Sequence, residues 1–320
     1  MRAAPPDRAS VPGTILCAVT DDDRLQDVVT SGRAIAAGTR CRALFVHVAE
    51  PAVAWPAPFG HGAGAAAPGL PPDPLSGTFA EISQDARESG HRLLADAGVS
   101  SDEAVVVSGN PVNELNRLAV EHDALLIVAG THRRGLLSRA VLGSTSRALA
   151  RHGACPVLIA RSTVVPSTGG PVVCGVDAAD PDGSRAAQHA ARLAAAMQRS
   201  LVLVHVICPE RPVVVAGPVA APITVAPTGL EKGKAERALK AVARRLDGDD
   251  IESVVVAGRS PAERLDEFAT GRRADLLVVG SSGRRGVRAV LDGSTSLDLL
   301  RRGQRPLVIV PPADRSQPKP

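Results

Sequence analysis

Five short apolar runs occur in the first half of the chain, at Ile15–Val19, Leu44–Val48, Val105–Val107, Leu125–Val128 and Pro156–Ile159. Five more follow in the second half, at Val172–Val176, Leu201–Val206, Val254–Val256, Leu276–Val279 and Pro306–Ile309. Runs that are apolar at every position, rather than at alternate ones, predict strands covered on both faces. A different period lies between them: Ala186, Ala190, Leu193, Ala194 and Met197 recur at three and four residues, as on one face of a helix. Similar spacing predicts helices over 76–97, 111–121 and 260–271. Buried strands alternating with amphipathic helices predict an α/β fold of two doubly wound domains, each a five-stranded parallel sheet with helices on both faces.

The two sets of runs correspond in order, so the chain is read as two passes of one pattern. Ile15-Leu16-Cys17-Ala18-Val19 matches Val172-Val173-Cys174-Gly175-Val176, and both second strands end in His-Val, at His47-Val48 and His205-Val206. The copies are offset by 158 residues at the histidines and by 150 at Pro111 and Pro261, so the first copy carries extra loop residues. Pro51–Gly77 and Pro209–Thr228, full of Pro, Gly and Ala, are expected to be mobile surface excursions after the second strand of each copy. The expected boundaries are a disordered tail at 1–10, domains at 11–161 and 171–312, a linker at 162–170 and a tail at 313–320. Apolar last strands at 156–160 and 306–310 need covered edges, which predicts an intramolecular pseudo-dimer, with pairing of two chains as a further option.

Composition narrows the function classes. The formal charge is +4, but there are only four lysines, Lys232, Lys234, Lys240 and Lys319, and the arginines form no block. Tyrosine is absent and aromatics make up 2% of the residues, too few for the stacking platforms of single-stranded nucleic-acid binders. The five cysteines show no Cys-x-x-Cys spacing and read as small buried thiols. No apolar run reaches bilayer-spanning length and the first ten residues lack a secretory core, so a cytoplasmic protein without membrane or nucleic-acid partners is expected.

Ligands of doubly wound sheets bind outside the carboxyl ends of the strands, where strand order reverses. After the fourth strand of the second copy come Gly280-Ser281-Ser282-Gly283 and then Asp292-Gly293-Ser294-Thr295, with a helical run beginning at the hydroxyls. Gly280, Gly283 and Gly293 can present amides to phosphate oxygens without a Cβ in the way, and a helix start adds unpaired N–H groups. Ser294 and Thr295 serve either as donors to phosphate or as helix caps. The spacing is neither a Walker loop nor the Rossmann glycine fingerprint. His47 and His205 each stand alone among aliphatics, as hydrogen-bonded structural histidines do, and no catalytic constellation is recognisable.

Gly-x2-Gly-x9-Gly-Ser at 280–294, Asp177 closing the first strand and His205-Val206 closing the second resemble the universal stress protein family, over nearly the whole chain as a tandem pair. The resemblance implies an adenine nucleotide alpha hydrolase-like fold and a cytoplasmic stress-response regulator that binds ATP, mainly in the second domain, with at most slow hydrolysis. Carried over, the nucleotide-binding positions are Asp177, Val206, Gly280, Gly283, Gly293 and Ser294, with Val279, Ser282 and Thr295 beside them. The first copy keeps Val48, Gly130, Gly143 and Ser144, followed by Thr145, but has Thr20 in place of the aspartate and Arg133 in place of the middle glycine. Arg133 reads either as an added phosphate ligand or as a side chain blocking a glycine turn; the second reading makes this a weakened or lost site. Asp292 precedes Gly293 where Leu142 precedes Gly143, and it reads either as a ligand to Mg²⁺ on the phosphates or as a solvent-facing turn residue. Two other functions stay open, a nucleotide-free scaffold for a protein partner and an enzyme acting on a nucleotide-like substrate.

Overall fold

The computed structural model describes residues 13–22, 24–49, 75–131, 143–160, 169–177, 183–208, 228–246, 250–281, 295–303 and 305–312. The first half runs β1 (Thr14–Val19), α1 (Leu25–Thr39), β2 (Arg42–Ala49), α2 (Leu75–Asp96), β3 (Ala104–Ser108), α3 (Pro111–Glu121), β4 (Ala124–Ala129), α4 (Ser144–His152) and β5 (Val157–Ile159). The second runs β6 (Val172–Gly175), α5 (Gly183–Met197), β7 (Leu201–Ile207), α6 (Gly229–Ala243), β8 (Ile251–Ala257), α7 (Pro261–Gly271), β9 (Leu276–Gly280), α8 (Thr295–Arg302) and β10 (Leu307–Val310).

All ten strands belong to one sheet, in the order β3-β2-β1-β4-β5-β10-β9-β6-β7-β8. Pairing is parallel within each half; at the centre β5 and β10 run antiparallel, with Leu307 opposite Ile159 and Ile309 opposite Val157. Antiparallel pairing of two equivalent strands relates the halves by an approximate two-fold and removes both inner edges. The chain is therefore α/β and doubly wound, as its pattern predicts, but its two five-stranded sheets are continuous.

Because successive strand residues face opposite ways, each apolar run feeds two cores. Ile15, Cys17, Val128, Leu158, Cys174, Val278 and Val308 lie in one cluster, whereas Leu16, Ile127, Val157, Val173, Leu277 and Ile309 lie in the other. Both clusters draw on both halves. Local chemistry starts the helices between the strands. The Asn110 side chain accepts from the amides of Val112 and Asn113 at α3, with Pro111 in the first turn, and Ser260 accepts from Glu263 at α7, again followed by proline. Thr228 and Glu231 form a reciprocal capping box at α6, so the predicted excursion over 209–228 ends in an ordered helix start. Leu75–Gly77, the end of the other predicted excursion, likewise belongs to α2.

Where the predicted linker meets the second half, the backbone is tied down. Gly170 donates its amide to the buried Asp275 carboxylate at 3.0 Å, and Asp275 also accepts from Arg199 Nε at 3.1 Å. A Cβ on Gly170 would lie 2.0 Å from the Arg273 carbonyl oxygen, so only glycine passes there. Residues 162–168 of that linker, the two tails and most of the excursions lie outside the described residues.

Candidate functional site

In the second half the strand order reverses between β6 and β9: β7 and β8 continue outward from β6, while β10 lies beyond β9. Gly175 of β6 pairs with both Val204 of β7 and Val279 of β9. Asp177, Val206 and Gly280 therefore come together at the carboxyl ends of three adjacent strands. Asp177 and Gly280 flank the crevice that such folds use for ligands. All three are partly exposed, whereas Val279 beneath them is buried.

The histidine before Val206 holds this corner in place. His205 Nδ1 lies 2.9 Å from the carbonyl oxygen of Val176, the residue before Asp177. A carbonyl only accepts, so Nδ1 carries the proton and donates, which fixes both the ring and the end of β6. His47 Nδ1 makes the same bond to the Val19 carbonyl, at 3.1 Å, in the first half. The paired histidines are thus positioning residues for the strand ends.

Thr295 opens α8 and is partly exposed, which sets the helix N-terminus at the predicted point. Ser282, Gly283, Asp292, Gly293 and Ser294 lie outside the described residues. Ser281, just inside that boundary, is buried, with an amide that donates to the Val310 carbonyl at 2.9 Å. Among the described residues no group of three or more His, Cys, Asp or Glu side chains is arranged to hold a metal ion.

The first half repeats the geometry with different contents. Thr20 follows β1, Val48 lies on β2, Gly130 follows β4, and Gly143, Ser144 and Thr145 begin α4. Arg133 lies outside the described residues. Ser146 Oγ donates to the Gly130 carbonyl at 2.9 Å, which ties the first turn of α4 to the end of β4.

Four residues at this corner were not singled out in the sequence. Thr20 Oγ1 donates to Asp22 Oδ2 at 2.7 Å, and the Arg24 amide donates to Asp22 Oδ1 at 2.9 Å. The buried Arg24 side chain pairs with Asp27 at 2.5 Å. A Cβ on Gly130 would lie 3.4 Å from both Arg24 Cβ and Val28 Cγ2. The acidic run Asp21-Asp22-Asp23 before Arg24 is the only sequence signal for this arrangement, and it reads equally as a solvated turn.

Among the described residues burial shifts three cysteines and one histidine. Burial pushes the Cys155 and Cys174 thiols up to about 12, and Cys17 is also raised, so these cysteines stay protonated and unreactive. Cys41 is partly exposed and Cys208 exposed, so the expectation of buried thiols holds for three of the five. Burial, and then the charges of Arg185 and Arg192, lower His189 on α5 to about 4.

Fold and site together define a tandem α/β protein in which the strand order reverses once in each half. The sequence profile of the universal stress protein family matches residues 13–161 and again 170–311. The chain belongs to that family. A universal stress protein of Mycobacterium tuberculosis is 29% identical over 253 residues, covering 75% of this chain and 81% of its own length. Another from the same organism is 31% identical over 234 residues, covering 69% and 70%. In three dimensions the chain is similar to a universal stress protein from Archaeoglobus fulgidus, with a TM-score of 0.61 at 16% identity over 93% of this chain and 98% of that one, a likeness of fold. Among the described residues no helix is long and apolar enough to cross a membrane.

Proposed function

We propose that the chain is a stress-response regulator that binds ATP in its second half, at the crevice between the ends of β6 and β9. The observation that carries this reading is the gathering of Asp177, Val206 and Gly280 on three adjacent strand ends at the reversal of strand order. Asp177 offers a carboxylate to the ribose hydroxyls or the adenine edge, and Val206 an apolar surface to the base. Gly280 begins the loop whose Ser282, Gly283, Gly293 and Ser294 would take the phosphates, with Thr295 at the start of α8 adding helix-end amides.

Mg²⁺ would accompany the triphosphate, with Asp292 as the candidate carboxylate ligand. No general base is recognisable, so nucleotide occupancy is the signal and hydrolysis is slow. The reading places the protein in the cytoplasm, where ATP is available, with the occupied form presenting itself to a protein partner.

Calorimetric titration of the purified chain with ATP and Mg²⁺ tests the reading. Saturable binding is expected, lost in Asp177→Ala and in Gly283→Arg, which copies the first half. No saturable binding at millimolar ATP would leave the nucleotide-free scaffold as the function.

A further inference from the structure

We infer that α6 and α2 are the two sides of a contact between copies of this chain, the basic outer stripe of α6 lying against the acidic outer stripe of α2 in a second copy.

Three observations carry it. First, α6 turns cations outward. Lys234, Arg237, Lys240 and Arg244 recur at three and four residues on the side away from the buried Leu239, and all four are exposed. Of the two carboxylates on the helix, Glu231 is held in the capping box, where it accepts from the Thr228 amide and hydroxyl, and Glu236 lies to one side of the stripe. The neighbouring α5 contains neither Asp nor Glu.

Second, the stripe has no counterions of its own. On other helices surface arginines are paired, Arg117 with Glu114 and Glu121, Arg264 with Glu267, Arg272 with Glu252 and Arg302 with Glu263. Among the described residues none of the four cations of α6 forms a salt bridge. Like charges three and four apart on a helix repel, so an anionic surface laid along α6 relieves a cost that the isolated chain bears. No aromatic residue on α6 is there to stack on bases or to anchor in a bilayer.

Third, the equivalent helix of the first half has the opposite sign. α2 packs on β2 and β3 as α6 packs on β7 and β8, and both feed the same apolar cluster. Asp85, Glu88 and Asp96 are exposed on the side away from the buried Leu94. Arg92 lies among them but donates to the Glu88 carbonyl and the Ser89 hydroxyl of its own helix, and among the described residues the three carboxylates form no salt bridge. At 1.5 Å per residue, Asp85 to Asp96 and Lys234 to Arg244 each span about 15 Å, so the stripes match in length. The two helices cover opposite ends of the ten-stranded sheet and so meet only between chains. Made twice about a two-fold axis, the contact closes a dimer.

Sedimentation velocity of the full chain without nucleotide tests this apart from the proposed function. The wild type is expected to self-associate at about 0.1 M salt and to become monomeric at about 1 M, where the Debye length falls from about 10 to 3 Å. Lys234→Glu/Arg237→Glu/Lys240→Glu and, separately, Asp85→Lys/Glu88→Lys should each weaken association by at least about tenfold, since each sets like charges face to face. Mixing the two variants restores opposite charges at both contacts and should restore association.

A wild type that stays monomeric at low salt overturns the inference, whether or not α6 then binds an added polyanion. So do variants that associate as the wild type does, or a mixture that stays monomeric. If a variant does not melt cooperatively, the contact is read from the wild type, by carbodiimide coupling in a mixture of unlabelled and isotope-labelled chains. Mixed-isotope links from Lys234 or Lys240 to Asp85, Glu88 or Asp96 are expected, and their absence overturns the inference.

Discussion

Asp275 shows how one side chain decides local stability. Its carboxylate is fully buried and receives both the Gly170 amide and Arg199, whose own side chain is 33% exposed. Removing the arginine leaves a buried negative charge without its counterion, which typically costs several kcal/mol. Arg199→Met is expected to lose about 3 kcal/mol in urea denaturation, while Asp275→Asn, which keeps the shape and removes the charge, should lose less. The position matching Asp275 in the first half is Leu125, so this lock exists only in the second.

His189 sets an acid limit. Its folded value lies near 4 against about 6.5 in an unfolded chain, so the unfolded state takes up the proton first as pH falls. Stability contributed by neutral His189 is present above about pH 6.5 and is lost between there and about 4. Unfolding free energies from urea denaturation at pH 7 and 4.5 should differ more for the wild type than for His189→Gln, by on the order of 2 kcal/mol. Equal pH dependence would mean that the histidine is solvated in the folded chain.

At this scale the sequence was only partly legible. Asp177 and Val206 were named through the family resemblance and Gly280 through its place after a strand, and the three lie on neighbouring strand ends. Arg24 was not, because burial of an arginine depends on its distance from Gly130, more than a hundred positions away in the chain. The histidines were correctly expected to be structural, yet their partners, the carbonyls before Asp177 and Thr20, emerge only when β1 and β2, and β6 and β7, lie side by side.

Strands were the most legible elements, since each is apolar on both faces, and every predicted run contains or overlaps an observed strand. Proline-opened helices such as α3 and α7 were equally plain. The sequence pattern did not single out α1: Leu25–Thr39 mixes Ser, Gly and Thr with its apolar positions, and Gly32 allows Cys17 to approach so closely that a Cβ would meet its sulfur at 2.3 Å. α5 presents Ala186 to the end of β9 where α1 presents Val28 to the end of β4, and a Cβ on the glycine there would meet each at ordinary contact distance.

Across the whole molecule, the pairing of β5 with β10 turns two repeats into one structural unit. Repeats within a chain reveal that two domains exist, but which edges meet is a matter of packing, and the continuous ten-stranded sheet went beyond the expectation of two covered edges. Because each apolar cluster contains strands from both halves, thermal unfolding is expected to be one cooperative transition by scanning calorimetry, with equal calorimetric and van't Hoff enthalpies. Val308→Asp, which places a charge in the central pair, should split it into two. Two transitions in the wild type would mean that the shared core contributes little to cooperativity.

On the proposed reading only the second half takes ATP, within a sheet that both halves share. The most direct measurement is the number of ATP molecules bound per chain, by equilibrium dialysis at saturating ATP and Mg²⁺. One per chain, falling to none in Asp177→Ala and unchanged in Thr20→Ala, is the expected result. Two per chain, or one that survives Asp177→Ala, would contradict it.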